Sequence, residues 1–338
     1  MRSEAVGFLD LAEGKTLVGY GPFRTTGAAP ASGAAFYRND FGLTSSAPWW
    51  IPDRWEILAK GEAARLLKGS GPMPDCIWEA PEASGFAAVF QEISASIRTG
   101  AFEKTVPVVV ERGTLGAPAG PALLASAATC EAPLFAYGFS DGESGFAGSS
   151  PERLLSVADG VLRTMALAGT ARAEERDVLA VDEKEIREHE YVAQSLVAKL
   201  SDIGRVRRAP RGIMELRSIV HFHTPIEVDL TGSETPDALV KRLHPTPALG
   251  PLPRTPETMD QLISWRRRLG TPEGFGAPFG AILDGRFHAI VAIRGLWWQG
   301  REVLLPAGCG VIEASRLVNE WRELRLKREA VKARFGLE

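Results

Sequence analysis

The sequence predicts an α+β fold built mostly on antiparallel sheets, and three observations lead there. Strand-like and helix-like stretches do not alternate regularly, as a doubly wound parallel sheet requires. Apolar runs are closed by turn signals, Asp159-Gly160, Asp284-Gly285 and Gln299-Gly300, which is the chemistry of hairpins. No linker, repeat or low-complexity tract divides the 338 residues, so a single domain over 1–338 is expected.

Taken in order, the first 75 residues are rich in Gly, Ala and Pro around short apolar runs ("TLVGYGPF", "SGAAFYRNDFG") and read as short strands joined by turns. In "PEASGFAAVFQEISASIRTG", Phe86, Val89, Phe90, Ile93 and Ile97 recur at helical spacing, with Gly100 as the stop. "KTVPVVVERG" is a β-branched run in which Pro107 marks an edge or a bulge. "APLFAYGFS", "SGFAGSS" and "ERLLSVADGVLRTMALAG" continue as strands and turns. Residues 182–200 are helical, "ELRSIVHFHTPIEVDL" is strand-like, and "TPDALVKRLHP" is a helix ended by Pro245. "GAILDGRFHAIVAIRGLWWQGREVLLPAGCG" reads as several antiparallel strands before a final helix over 316–335.

Composition narrows the function. With 45% hydrophobic and 24% charged residues the chain suits a soluble globular protein with a large core. A net charge of -3 and a pI near 6.1 argue against a general nucleic-acid binder. No apolar run approaches the roughly 20 residues that cross a membrane, and "MRSEAVGFLDLAEGK" has no signal-peptide core. Cys76, Cys130 and Cys309 are far apart and form no C-x-x-C, so neither a disulfide framework nor a thiolate zinc site is indicated. A cytoplasmic protein with free thiols is expected.

The candidate chemistry is acidic. In "VNEWRELRLKREA", Glu320, Glu323 and Lys327 share one helix face, which is equally the pattern of a solvated surface with an i,i+4 ion pair. "DEKEIREHEYVAQSL" offers Glu188 and His189, but position 193 is Ala, so H-E-x-x-H is incomplete and a helical zinc pair is not expected. Carboxylates suit Mg²⁺, and Glu188 with Glu320 and Glu323 is a candidate ligand set. Gly169-Thr170 in "MALAGTAR", and the bare backbone of "LPAGCG" around Gly308, can hold a carboxylate. Arg294 inside an apolar strand needs an anion or a buried acid. Glu152 after Ser-Pro, Lys104 opening its strand, and His221 beside His223 on one strand face complete the candidates.

Read together, "FAGSSPERLL", "ALAGTAR", "KEIREHEYVAQSL", "LHPTPALG", "VAIRGL", "PAGCGVIEAS" and "NEWRELRLK" resemble, in order and spacing over 85–338, the chorismate-utilising enzymes. That group includes isochorismate synthases, salicylate synthases and the synthase subunits for anthranilate and aminodeoxychorismate. Residues 1–84 carry no such landmark and are expected to be a short divergent part of the same domain. The resemblance implies two large, mostly antiparallel sheets packed together with helices outside, and a Mg²⁺-dependent site for chorismate. It implies Mg²⁺ on Glu188, Glu320 and Glu323. Gly169, Thr170, Ala248, Leu249, Phe275, Arg294, Gly308 and Lys327 would bind substrate, and Lys104, Glu152 and His221 would be catalytic.

The same resemblance separates the reactions. Lys104 stands where isochorismate and salicylate synthases carry the base that activates water for attack at C2, and Glu152 where they carry the acid for the C4 hydroxyl. For that work the Lys104 pKa should be lowered, by burial or a neighbouring cation. Ala168 replaces the nucleophilic lysine of aminodeoxychorismate synthases, and the chain has no glutaminase domain. Conversion of chorismate to isochorismate is therefore expected. A salicylate synthase or other lyase and a non-catalytic chorismate-binding protein are the alternatives, in a monomer or weak homodimer. Four departures from the family pattern, at Pro251, Ala277, Cys309 and Glu111-Arg112, are expected near the substrate.

Overall fold

Two of the predicted turns form as their residues dictate. Asp159 and Gly160 both take positive φ (52° and 74°), the backbone whose twist suits a two-residue hairpin, and they join the strands Arg153–Ala158 and Val161–Arg172. Asp284 and Gly285 (φ 48° and 80°) do the same between Pro278–Leu283 and Arg286–Val291. The third turn falls one residue late: Gln299 still belongs to its strand, and Gly300 (φ 57°) opens the reversal.

The structure, a computed structural model, describes residues 5–11, 14–67 and 72–338, so the N-terminal reading over "MRSEAVGFLDLAEGK" lies partly outside the described residues. Every strand pairing in it is antiparallel, and the pairings form one unbroken chain. Gly204–Arg208 and Gly212–Leu216 both pair with Ile219–Leu230. From there the ribbon runs through Val161–Arg172, Arg153–Ala158, Arg286–Val291, Pro278–Leu283, Ala34–Arg38, Trp49–Ala59 and Lys15–Thr26. It continues through Val6–Asp10, Phe135–Ser140, Ser144–Ser150, Gly295–Gln299, Glu302–Gly308 and Val108–Leu115 to Cys76–Glu79. The N-terminal strands thus lie in the middle of the ribbon.

The expected two packed sheets are the two arms of this ribbon, doubled over. Phe279 on one arm meets Tyr137 and Phe146 on the other, with ring centroids 6.0 and 5.3 Å apart. Apolar rings from both arms fill the space between them, as packing at interior density requires.

Among the described residues there are eight α-helices: α1 (Glu62–Leu67), α2 (Ala83–Arg98), α3 (Gly120–Ala128), α4 (Arg176–Val181), α5 (Glu183–Leu200), α6 (Pro236–Leu243), α7 (Pro256–Arg268) and α8 (Leu317–Phe335). Residues of α2, α5, α6, α7 and the middle of α8 share one apolar core with the strands, and α1, α3 and the end of α8 share another. The sequence reading found α2, α5, α6 and α8 and passed over α1, α3, α4 and α7. For α7 a signal existed: Thr255 and Thr258 form a capping box ahead of Pro256 at the first turn. "ELRSIVHFHTPIEVDL", read as one strand, is split by a turn at Arg217 (φ 56°).

Candidate active site

Helix α8 shows why charges turn inward here. Its buried positions are Glu320, Leu324, Arg328, Val331 and Phe335, a stripe at helical spacing that carries two charges. A buried charge is costly unless it is paired. Arg328 Nε donates to Glu111 Oε2 at 2.9 Å and Lys332 Nζ to Glu111 Oε1 at 2.5 Å, clamping α8 to the strand Val108–Leu115. The first half of α8 then meets α5, whose N-terminus is capped by Asp182 accepting from the Glu185 N–H.

The α5–α8 junction is an acidic cluster with a lysine at its centre. Lys184 Nζ lies 2.8 Å from Glu185 Oε1, 3.0 Å from Glu188 Oε2 and 3.4 Å from Glu320 Oε1. Glu188 Oε1 is also 3.2 Å from Lys104 Nζ, and Lys104, with no exposed surface, donates to the Pro247 carbonyl at 2.5 Å. A Cβ on Gly310 would stand 2.0 Å from Glu188 Oε1 and 2.9 Å from Lys104 Cε, so only glycine fits there. Burial opposes ionisation of Glu188, yet Lys184 and Lys104 hold it below the usual carboxylate range. Burial pushes Glu320 up to about 7 against the pull of Lys184, and burial with the charge of Glu188 raises Glu185 to about 8.

Opposite this cluster lies a cationic, anion-ready wall. Gly169 takes φ 76° at a bulge in the pairing of Val161–Arg172 with Ile219–Leu230, which turns Thr170 inward beside His221. His221 Nδ1 is 3.0 Å from the Gly169 carbonyl and from Thr170 Oγ1. A carbonyl only accepts, so Nδ1 carries the proton and Nε2 accepts from Arg294 Nη2 at 2.9 Å. Burial, then Arg294 and Lys327, push the His221 pKa well below its ordinary value. The ring is a neutral support for Arg294; as a catalytic candidate it has no free nitrogen for proton transfer. Burial lowers Arg294 to about 10, only partly offset by Glu323 and Glu152, and it has no ion pair within reach among the described residues. Lys327 Nζ is held by Glu323 at 2.5 Å and the Gly308 carbonyl at 2.8 Å.

Glu152 closes the site. It is 3% exposed at the end of Ser144–Ser150, with Thr246 Oγ1 donating to Oε1 at 3.4 Å. Burial pushes its carboxyl up to about 7 despite Lys104 and the Thr246 hydrogen bond. These groups surround a cavity of about 60 Å³, also lined by Ala248, Leu249 and Phe275. Of the residues predicted from sequence, only Lys104 and Glu320 stand outside its lining, and both touch lining residues or their partners. Sequence reasoning missed Lys184 and Glu185. The signal was present in "DEKEIREH", but Lys184–Glu188 at i,i+4 looks like an ordinary surface pair.

The donor set bears on a metal. Among the described residues no three His, Cys, Asp or Glu groups form a ready-made cation cage, because Lys184 fills the space between the carboxylates. Glu185, Glu188 and Glu320 nonetheless meet at Lys184 while Glu323 turns to Lys327, and the buried Glu320 Oε2 has no hydrogen-bond partner. A hard divalent cation with oxygen ligands fits this set. Histidine does not contribute: His189 turns to Thr224 Oγ1 at 2.8 Å, and burial lowers it to about 4.

Two of the four departures, Ala277 and Glu111-Arg112, lie away from this site, and two, Cys309 and Pro251, lie against it. Ala277 and Arg112 line a different cavity, and Glu111 is the clamp on α8. The Cys309 side chain is buried in the core, which drives its thiol pKa well up. Pro251 is buried beside Leu252, whose backbone bridges Lys104. The expectation of positions near the substrate is corrected for Ala277 and Glu111-Arg112.

With this geometry in place, the comparison with known proteins is direct. The family described as chorismate binding enzyme matches residues 68–336. The chain belongs to this family. The salicylate biosynthesis isochorismate synthase of Pseudomonas aeruginosa is 31% identical over 277 residues, covering 77% of this chain and 57% of that protein. Isochorismate synthase MenF of Escherichia coli is 29% identical over 273 residues, covering 76% of this chain and 62% of the relative. The chain therefore spans about three fifths of the length of these two relatives. The solved structure of MenF, the menaquinone-specific isochorismate synthase from Escherichia coli, superposes with a TM-score of 0.82 at 20% identity, over 99% of this chain and 89% of that one, which establishes the shared α+β fold.

No helix among the described residues is long and apolar enough to cross a membrane, and all three cysteines are free.

Proposed function

We propose that this chorismate-binding protein converts chorismate to isochorismate, adding water at C2 of the ring and losing the C4 hydroxyl, in the cytoplasm. The observation that carries the reading is a buried carboxyl on the cavity wall, Glu152, with a buried lysine, Lys104, directly behind the wall residue Glu188 at 3.2 Å. Hydroxide is a poor leaving group, and a carboxyl that stays protonated up to about pH 7 can supply its proton to the C4 oxygen. Lys104 takes the proton of the water that attacks C2. The ring double bond shifts as the new C–O bond forms and the old one breaks, so one water enters, one leaves, and the composition is unchanged.

Binding falls to the opposite wall. Arg294, kept rigid by His221 and lacking an ion pair, with Lys327 near the Gly308 backbone, is the natural seat for a substrate carboxylate. The reading includes Mg²⁺ held by Glu188, Glu320 and Glu323, which would supply charge neutralisation for the other carboxylate. Ala168 on the cavity wall brings no amine, which supports water as the nucleophile.

The test is incubation of the protein with chorismate, with and without Mg²⁺, and chromatography of the products. Isochorismate formed only with Mg²⁺ is expected. Salicylate with equimolar pyruvate would move the protein to the lyase branch, and no turnover, with or without ammonia, would leave a binding protein.

A further inference from the structure

The centre of the acidic cluster is already filled by the protein itself. Lys184 directs one contact each to Glu185, Glu188 and Glu320. Two of its protons are donated, to Glu185 and Glu188, the Glu320 contact is an ion pair at 3.4 Å, and one oxygen of the cluster, Glu320 Oε2, is left buried and unpartnered. Lys184 faces Glu185, Glu188, Glu320 and Glu323 from the centre, with Lys104 on the far side of Glu188 and Lys327 on Glu323. A divalent ion at the same point would bring one more charge and take more oxygens.

The lysine also has somewhere to go. A cleft of about 330 Å³ on the outer side of the α5–α8 junction is lined by Lys184, Glu185, Glu320 and Glu323 together with Arg172 and Ser315. The Lys184 side chain is 19% exposed, while that of Glu320 is 2% exposed, so the lysine reaches the cluster from the cleft side. Its long, flexible stem lets the ammonium withdraw along this cleft without moving the helix.

We propose that Lys184 is a built-in counter-ion that holds the cation site closed in the metal-free protein and is displaced into the cleft when a divalent cation binds. This rests on the reading that Glu188, Glu320 and Glu323 take such a cation. Lys184 is a positioning residue: it keeps four carboxylates from repelling one another before metal arrives, and it competes with the metal for them.

The test compares the wild-type chain with Lys184→Gln, using MgCl₂ as the probe. Titration calorimetry should show Mg²⁺ binding about tenfold more tightly to the variant, since its internal competitor is gone. Thermal unfolding in chelator should show the variant melting below wild type, with the gap closing at saturating Mg²⁺. Equal or weaker Mg²⁺ affinity in a folded variant, with clear binding to wild type, overturns the role of Lys184 and leaves the metal site standing. Absence of Mg²⁺ binding to wild type and to the variant alike overturns both. A second measurement needs no variant: acetylation of Lys184 in the wild-type chain, followed by mass spectrometry, should rise several-fold on adding Mg²⁺ relative to Lys104. Unchanged labelling in a Mg²⁺-bound protein also overturns the displacement.

Discussion

Two cavities in this molecule differ in a way that volume does not report. The larger, about 510 Å³, is walled by Trp50, Phe139, Phe146, Phe279 and Trp297. One of its arginines, Arg38, lies over Trp50, Phe139 and Phe146 at 4.8, 4.5 and 5.4 Å from the ring centroids. The smaller, about 60 Å³, has Arg294 with a histidine nitrogen behind it and, among the described residues, no carboxylate within ion-pair reach. Both guanidiniums lose solvation. Ring faces and Asp141 compensate the first, whereas Glu323 and Glu152 offset only part of the second's loss and leave it open to an anion. A charge already met by its surroundings is structural, and a charge held rigid and unmet marks a site.

That contrast can be broken by substitution, and the largest effect belongs to the small cavity. Lys104→Ala should lower kcat by about 10³-fold while leaving chorismate binding measurable by calorimetry; full turnover would remove the proposed base. Gly310→Ala comes next. Its methyl would collide with Glu188 Oε1 and Lys104 Cε, so we expect a loss of about 2 kcal/mol in denaturant unfolding and a weakened response to Mg²⁺; a variant of unchanged stability would show that the glycine is not required by packing.

The third prediction concerns pH. The Glu152 carboxyl is raised from 4.5 to about 7 in the fold, so the folded state holds a proton that the unfolded chain has lost. This carboxyl therefore lowers stability progressively as pH rises from about 4.5 to about 7, and no further above that. Glu152→Gln, neutral throughout, should gain in melting temperature over wild type across that window, and a constant difference would contradict the shift. Wild-type turnover should correspondingly fall as pH rises through about 7, where the acid form is lost. The smallest effect is expected in the large cavity: Arg38→Met should keep kcat within about twofold, and a large loss there would mean that the two cavities are not functionally separate.

Much of the site was legible because its pieces are short and local. Glycine at 169 and the lone arginine in "VAIRGL" each announce a constraint in a few residues, and the ordered set of motifs supplies the rest through its resemblance to a family. Lys184 and Glu185 were not legible, since an i,i+4 pair on a helix looks the same whether it faces water or another helix. The sequence pattern in α8 was ambiguous for the same reason: Glu111, more than 200 residues earlier, is what turns Arg328 and Lys332 inward.

The sequence by itself determined the α+β class, the positions of the hairpin turns to within one residue, and the residues that come to line the small cavity, because turn conformation and motif spacing are local properties of the chain. Only the tertiary structure decided that the strands form one doubled-over ribbon, that His221 supports Arg294, and that the acidic cluster closes on Lys184. Those outcomes depend on which charges are buried together, and burial is a property of the folded chain as a whole.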